Sequence, residues 1–290
     1  MKFKAFLLSA LLMLSLLPGC AARDHAQVAA TTLPVYEFTT RLCAGTDISV
    51  TRLVTESVSC LHDYSLNVSQ VQAVESAEVV IISGAGLEGF MDDLLENAAV
   101  IDSSHGIAPL DCENEHDHSH DHHHHERDAH IWLSPAHAKL MAQNICAGLC
   151  AQFPRYSDTF NKNLADLLTQ LDKLQAYGQE QLRDLSCREL ITFHDGFAYF
   201  AEAFDLTILK AIEEESGSEA SAQELIHLID LVDHHDLPAV FTEINGSVSA
   251  ADIIARETGA AVCQLDMAMA GTSYFDAMYH NINTVKEALG

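Results

Sequence analysis

Short apolar runs alternate with amphipathic segments along most of the chain. Four runs precede residue 111 and four follow residue 185. The first four are QVAATTL, SVTRLV, EVVIIS and AVIDS, and the second four are ELITF, LTILKAI, PAVFTEI and AVCQLD. Such runs, separated by amphipathic helices, are typical of parallel strands that helices cover on both faces. The pattern predicts an α/β fold with two similar domains, each built on a sheet of four parallel strands.

A long amphipathic segment separates the two sets of predicted strands. At ~1.5 Å per residue, a helix over residues 156–184 would be about 40 Å long. We predict that this helix joins an N-terminal lobe, residues 20–155, to a C-terminal lobe, residues 185–290; a coiled-coil arm is the alternative. The apolar positions that repeat at helical spacing are Phe160, Leu164, Leu167, Leu168, Leu171 and Leu174.

Capping residues predict where several of the other helices begin. SQVQ at residues 69–72 and SAQE at residues 221–224 both match a capping box. Ser134 followed by Pro135 predicts an N-cap and a first helical residue. These signals place helices between the predicted strands of both lobes.

The first residues resemble an export signal. Lys2 and Lys4 precede the apolar run AFLLSALLMLSLL, which is too short and wrongly flanked for a membrane span. The run ends in LLPGC, which resembles a bacterial lipobox, where the signal is removed before the cysteine and the new N-terminus is lipidated. We predict a signal peptide over residues 1–19 and an extracytoplasmic protein that Cys20 anchors to membrane lipid at the outer face of the cell membrane. The alternative is a secreted protein in which Cys20 has no special role.

The charge of the chain narrows the range of ligands, and the spacing of its cysteines bears on disulfide bonds. The formal net charge is −27, which repels nucleic acid and anionic substrates and attracts cations. Acidity that only keeps the protein soluble is the alternative interpretation. The chain has no C-x-x-C pair, and an odd number of cysteines follows Cys20, so the spacing assigns no disulfide.

A glycine pattern after the third predicted strand can mark a dinucleotide-binding turn. G-x-G-x-x-G follows the strand VVIIS, and an aspartate ends the next strand. However, the following helix opens with acidic side chains, where a pyrophosphate needs positive potential. The motif also follows the third strand of its lobe and not the first. We interpret the segment as a tight strand-to-helix turn; its residues are Gly84, Gly86, Glu88, Gly89, Asp92 and Asp93.

Three histidines and two carboxylates fall at predicted strand ends or in the loops beyond them. His62 and His130 lie in loops of the first lobe, while His194, Glu243 and Asp266 close strands of the second lobe. Open α/β sheets bind ligands at the carboxyl ends of their strands. Each histidine taken alone is more simply a surface residue. Three of them converging with a carboxylate would form a nitrogen-rich cation site.

Four segments resemble a known family. LHDYSLNVSQVQAVESAEVVIISGAGLEGFMDDLL, DAHIWLSPAHAKLMAQNI, ITFHDGFAYFAEAFDL and YFDAMYHNINTVKEAL resemble, in this order, segments of bacterial zinc/manganese-binding lipoproteins, the cluster A-I solute-binding proteins of ABC importers. The resemblance runs from about residue 28 to the C-terminus. It implies two α/β domains, joined by one long helix, that hold a transition metal in the cleft between them.

The resemblance also implies a ligand set. The matching positions are His62, His130 and His194, with a fourth ligand near Asp266. FTEING departs from the usual pattern of the family, so Glu243 or water is an alternative to Asp266 as the fourth ligand.

A histidine-rich segment lies between the first two of these histidines. Residues 113–128, ENEHDHSHDHHHHERD, have no apolar side chain. Zinc-type members of the family carry a His/Asp-rich insertion at this place, and residues 111–128 match it. We predict a mobile accessory loop that collects metal, with a solvated spacer as the alternative. Its histidines are His116, His118, His120, His122, His123, His124 and His125.

The predicted function is capture of Zn²⁺ and its delivery to an ABC permease and the ATPase of that permease. Three imidazoles and one carboxylate favour zinc over Mn²⁺, which prefers more oxygen ligands. We expect a monomer without enzymatic activity. The alternatives are a manganese-binding homologue, a surface adhesin or metal buffer and, since three histidines also describe catalytic sites, a zinc hydrolase.

Overall fold

Two parallel sheets of four strands each form the framework of the protein. The computed structural model describes residues 27–56, 61, 64–108, 110, 128–212 and 221–290. All eight apolar runs identified in the sequence form strands, which confirms the predicted α/β fold with two four-stranded parallel sheets. The predicted signal peptide, Cys20, His62 and the histidine-rich segment from residue 111 to residue 127 lie outside the described residues.

The first sheet has the strand order β2-β1-β3-β4. Strand β1 lies in its centre, with Val28 opposite Val50 on one side and Val79 on the other. Alternate residues of a strand face opposite sides of the sheet, and both sides of β1 are buried. The elements of this lobe are β1 (Gln27–Ala30), α1 (Leu33–Leu42), β2 (Ser49–Arg52), α2 (Val68–Ser76), β3 (Val79–Ile82), α3 (Asp92–Leu95), β4 (Val100–Asp102) and α4 (Pro135–Gln152).

The second sheet repeats this plan with the order β6-β5-β7-β8. Its central strands, β5 and β7, are flanked by β6 and β8, and all pairs are parallel. The elements are β5 (Glu189–Thr192), α6 (Ala198–Ala203), β6 (Thr207–Ala211), α7 (Ala222–His234), β7 (Ala239–Glu243), α8 (Ser249–Thr258), β8 (Ala261–Leu265) and α9 (Tyr274–Leu289).

Helix α5 (Ser157–Gln181) connects the two sheets within the predicted segment 156–184. Its buried face includes Phe160, Leu167, Leu171 and Leu174. These side chains belong to a hydrophobic core that also contains buried residues of both sheets. A smaller cluster lies on the other face of each sheet. The exact limits of the two lobes remain predictions.

The structure confirms two of the three helix caps that were predicted from the sequence. Ser221 forms the predicted capping box with Glu224, and Ser134 caps α4 with Pro135 in its first turn. The box predicted at Ser69 was wrong, because Asn67 caps α2 and pairs reciprocally with Gln70. The asparagine side chain reaches the free N–H groups of the first turn from two residues earlier, so the helix begins sooner than the serine indicated.

Within the described part of the chain, none of the helices has the length and apolar character needed to cross a membrane.

Candidate metal site

His130 lies just before a 3₁₀ turn, Ile131–Leu133, that leads into α4. Its imidazole is buried, and Nδ1 is 2.8 Å from Oδ1 of Asp128. The same carboxylate oxygen accepts a hydrogen bond of 2.8 Å from the backbone N–H of His130. Asp128 is held in turn by Tyr199, whose hydroxyl donates to the Asp128 carbonyl oxygen at 3.0 Å. These contacts fix the ring of His130 from its Nδ1 side.

His194 follows strand β5 in the second lobe and lies directly against His130. The two Nε2 atoms are 3.5 Å apart, and the rings meet edge to face at 84° with their centroids 5.2 Å apart. Two imidazole nitrogens bound tetrahedrally to one Zn²⁺, at about 2.0–2.1 Å each, are about 3.3–3.4 Å apart. The observed separation is therefore close to the spacing that one shared zinc ion requires.

Glu243 ends strand β7 and faces the other nitrogen of His194. Its Oε1 lies 3.8 Å from His194 Nδ1, and the residue is only 7% exposed. A distance of 3.8 Å allows electrostatic attraction to an imidazole but exceeds hydrogen-bond length. Glu243 therefore lies beside the pair of histidines, on the Nδ1 side of His194.

Asp266 follows strand β8 and is fixed mainly through its backbone. Its N–H donates to Oδ1 of Asn281 at 2.7 Å, and its carbonyl accepts from Nδ2 of the same asparagine at 2.8 Å. Its carboxylate Oδ1 accepts from the N–H of Ala268 at 2.8 Å. A small cavity has both Asp266 and Glu243 in its lining. The two candidates for the fourth ligand thus border the same space.

Gly196 allows the close packing of this site. A Cβ atom at this position would lie 2.7 Å from Cδ2 of His194, 2.8 Å from Nδ1 of His130 and 2.6 Å from Cε of Met267. Favourable contacts between carbon atoms need about 3.5–4.0 Å. The two rings therefore occupy space that a side chain at residue 196 would take.

The structure brings together some of the residues predicted from the sequence. His130 and His194 are in contact, Glu243 adjoins them, and Asp266 borders the same cavity as Glu243. Among the residues that the structure describes, no three His, Cys, Asp or Glu side chains form a group that could hold a metal ion. His62, the remaining predicted ligand, falls outside that set. The sequence reasoning missed Asp128, although its place two residues before His130 was a usable signal.

The glycine-rich turn after β3 is filled by a side chain of its own lobe. Glu88 is buried, and its carboxylate accepts from the Thr31 hydroxyl at 2.7 Å and from the N–H groups of Ser83 and Gly84 at 2.7 and 3.0 Å. Burial raises the pKa of Glu88 from 4.5 to about 7. Because Glu88 occupies the N–H groups that would cradle a phosphate, the geometry supports the interpretation as a structural turn.

The cysteines that the structure describes are all free thiols. Burial raises the pKa of Cys43 and Cys146 to about 12, so both remain protonated near neutral pH. Metal ions bind thiolates and not thiols, which makes these two residues poor ligands. The free cysteines are Cys43, Cys146, Cys150, Cys187 and Cys263.

Comparison with known proteins identifies the family. Residues 28–288 match the sequence model of the ZnuA family, which is described as zinc-uptake complex component A, periplasmic. The chain belongs to this family. The resemblance drawn from the sequence motifs is thereby confirmed, and the chain is a metal-binding protein of the solute-binding type that serves ABC importers.

Several known proteins are similar to this chain over most of its length. A crystal structure of ZnuA has 30% sequence identity and a TM-score of 0.79, and the match covers 92% of this chain and 100% of that one. The high-affinity zinc uptake system protein ZnuA of Bacillus subtilis is 26% identical over 92% of this chain and 88% of its own length. The manganese-binding lipoprotein MntA of the same bacterium is 27% identical over 93% and 92%. The similar proteins thus include both zinc and manganese binders.

Proposed function

We propose that the protein captures Zn²⁺ between its two lobes and delivers it to a membrane permease driven by an ATPase. The ligands would be His62, His130 and His194, with Asp266 in the fourth position. The observation that carries the proposal is the 3.5 Å separation of the His130 and His194 Nε2 atoms, one from each lobe. This distance suits two nitrogen ligands of a single tetrahedral zinc ion.

Ligand chemistry favours zinc over the manganese that one relative binds. Imidazole nitrogen is a good ligand for Zn²⁺, whereas Mn²⁺ prefers carboxylate, carbonyl and water oxygens. Two imidazoles already face each other in the described part of the chain, and the family resemblance adds His62. A site with three nitrogen donors and one carboxylate therefore supports zinc as the ion transported.

The N-terminal sequence and the relatives of the protein support a proposal for its place in the cell. The family is described as periplasmic, and MntA, a relative that is similar over nearly its whole length, is named a lipoprotein. LLPGC at residues 16–20 supports cleavage before Cys20 and attachment of lipid to that residue. We infer a monomer held at the outer face of the cell membrane, near the permease that receives the ion.

Zinc titration of purified protein tests the ligand set. The wild-type protein should bind one zinc ion tightly in competition with a chromophoric chelator. Loss of an outer partner of a ligand typically weakens metal affinity by 10- to 100-fold. His62→Ala, His130→Ala and His194→Ala should therefore each weaken zinc binding by at least about 100-fold, because each removes a direct ligand.

His280→Ala is the matched control for this titration. His280 is exposed on α9, where its Nε2 lies 3.0 Å from the carbonyl oxygen of Gln264. This variant should bind zinc as the wild type does. Unchanged tight binding in two of the three ligand variants would overturn the proposed site.

The same variants distinguish transport from hydrolysis. A zinc hydrolase keeps one coordination position open for an activated water. A carboxylate in the fourth position would fill it. Zinc-loaded wild-type protein should therefore hydrolyse p-nitrophenyl acetate no faster than His130→Ala. A zinc-dependent excess that disappears in His130→Ala would favour the enzyme.

A further inference from the structure

Each of the two facing imidazoles has a carboxylate near Nδ1, the ring nitrogen that points away from the other imidazole. On His130, Nδ1 contacts Oδ1 of Asp128 at 2.8 Å. On His194, Nδ1 has Oε1 of Glu243 at 3.8 Å. The inner nitrogens, both Nε2, face each other at 3.5 Å. The arrangement is therefore similar on both sides, although the two carboxylates come from different lobes.

A carboxylate beside one ring nitrogen determines what the other nitrogen can do. Neutral imidazole has one N–H donor and one acceptor nitrogen. A negative charge at Nδ1 favours the proton there, which leaves the lone pair of Nε2 available to a metal ion. The charge of Glu243 should thus favour the His194 tautomer whose Nε2 faces His130.

Local backbone geometry holds Glu243 in this place. The N–H of Gly246 donates to the Glu243 carbonyl oxygen at 3.0 Å, and the N–H of Ile244 donates to the carbonyl of Leu265 at 2.9 Å. A Cβ at Gly246 would lie 2.6 Å from Cγ of Glu243. The turn after β7 therefore packs closely on the glutamate side chain and limits where its carboxylate can lie.

We propose that Glu243 is a positioning residue for His194 and leaves the fourth coordination position to Asp266. The inference rests on the proposed zinc site. It follows from the side of the ring that Glu243 faces, since its carboxylate approaches the nitrogen that points away from His130. Asp128 serves His130 in the corresponding way, with a shorter contact.

Three substitutions test this role. Glu243→Gln removes the charge and keeps the shape, and Glu243→Asp keeps the charge. Glu189→Gln is the matched control, because Glu189 contacts Nδ1 of His235 at 2.9 Å, at the opposite end of strand β5 from His194. Zinc affinity should fall about 10- to 100-fold in Glu243→Gln, fall less in Glu243→Asp and stay unchanged in Glu189→Gln.

Two spectroscopic measurements separate positioning from ligation and from a merely structural role. The visible spectrum of bound Co²⁺ reports the ligand set and should keep its shape in Glu243→Gln. Nitrogen-15 NMR of the metal-free protein reports ring tautomers, and the His194 ring should shift toward protonated Nε2 in Glu243→Gln. A changed Co²⁺ spectrum would make Glu243 a ligand and would overturn the proposal, as would unchanged zinc affinity or an unchanged tautomer.

The failure of this inference differs from the failure of the proposed zinc site. If wild-type protein bound no tight zinc, or His130→Ala and His194→Ala bound it normally, the proposed function would be wrong. If both histidine variants lost zinc while Glu243→Gln kept full affinity, only the role of Glu243 would be wrong. Should Glu243→Gln fail to fold by circular dichroism, Glu243→Asp provides the decision, through its affinity and its Co²⁺ spectrum.

Discussion

The indole nitrogen of Trp132 donates a hydrogen bond of 2.8 Å to the carbonyl oxygen of Met267. Trp132 lies two residues after His130, and Met267 directly follows Asp266, so the bond ties a segment of the first lobe to one of the second. The Tyr274 hydroxyl donates a further bond of 2.8 Å to the carbonyl oxygen of Trp132. Both aromatic side chains are fully buried. These two hydrogen bonds therefore connect the two halves of the candidate site next to the histidines.

Tyr274→Phe should weaken this connection without changing the packing volume much. It removes one hydroxyl and leaves the carbonyl of Trp132 without that donor. A buried polar group that loses its partner costs about 1–3 kcal/mol. We expect the free energy of unfolding in urea, measured without metal, to fall by this amount.

Tyr156→Phe is the control for the tyrosine substitution. The Tyr156 hydroxyl bonds Asp47 at the exposed surface, where water can replace it. Its removal should change the free energy of unfolding by less than about 0.5 kcal/mol. Equal losses in the two variants would show that the bond to Trp132 has no special contribution.

Asp128→Asn should weaken zinc binding while the fold is kept. The amide oxygen can still accept from the backbone N–H of His130, but the negative charge beside Nδ1 is lost. Outer partners of this kind are worth 10- to 100-fold in metal affinity. Competition with a chelator should show a loss in that range, and Asp172→Asn, an exposed carboxylate on α5, should show none. If Asp128→Asn bound zinc with wild-type affinity, Asp128 would have no role in zinc binding.

Glu88 should give the protein a distinctive dependence of stability on pH. Its pKa is about 7 in the folded protein, raised by burial from the ordinary value of 4.5. The folded state therefore binds the proton more tightly than the unfolded chain. The resulting stability is fully present below pH 4.5 and is lost as the pH rises through 7.

Glu88→Gln isolates this effect, because glutamine is uncharged at every pH. Between pH 5 and pH 8, the free energy of unfolding of the wild type should fall by about 2–3 kcal/mol relative to Glu88→Gln. Urea unfolding at several pH values measures the difference. Glu96 is an exposed carboxyl in the same lobe. The free energy of unfolding of Glu96→Gln should therefore depend on pH as that of the wild type does. If the free energy of unfolding depended on pH in the same way in the wild type and in Glu88→Gln, the pKa of Glu88 would not be raised.

Deletion of residues 113–126 should leave one tight zinc site. His62, His130 and His194 all lie outside the deleted segment, so the proposed ligand set is kept. Additional weaker zinc ions should be lost, because side chains that must be ordered on binding give lower affinity. Equilibrium dialysis measures both classes, and replacement of the seven histidines by serine controls for the length of the segment. Disappearance of the tight site, with an intact circular dichroism spectrum, would make the histidine-rich segment the primary ligand set.

The strands and the long helix could be predicted because their signal is local. A run such as EVVIIS must be buried on both faces, and the leucines of α5 repeat at the helical period. The meeting of His130 with His194 followed from a topological rule, since ligands bind at the carboxyl ends of parallel strands. The strands and the helix therefore follow from local patterns, and the meeting of the two histidines follows from the order of elements along the chain.

Other features depend on distances that no sequence pattern contains. The capping of α2 by Asn67 depended on which of two polar residues, two positions apart, reached the free N–H groups. The contact of Glu243 with Nδ1 of His194 depends on the direction of a side chain after the turn. The bond from Trp132 to Met267 joins residues that are 135 positions apart. The sequence indicated that Glu243 lay near the site, but not which nitrogen it faced.

The hydrophobic core that extends from one sheet to the other has a thermodynamic consequence. Phe38, Leu171 and Met278 belong to the same buried cluster, although they come from α1, α5 and α9. Neither sheet can lose its packing without exposing apolar surface that also stabilises the other. The protein should therefore melt in a single cooperative transition, with calorimetric and van't Hoff enthalpies that agree. Architecturally there are two lobes, but in its unfolding equilibrium the molecule should behave as one unit.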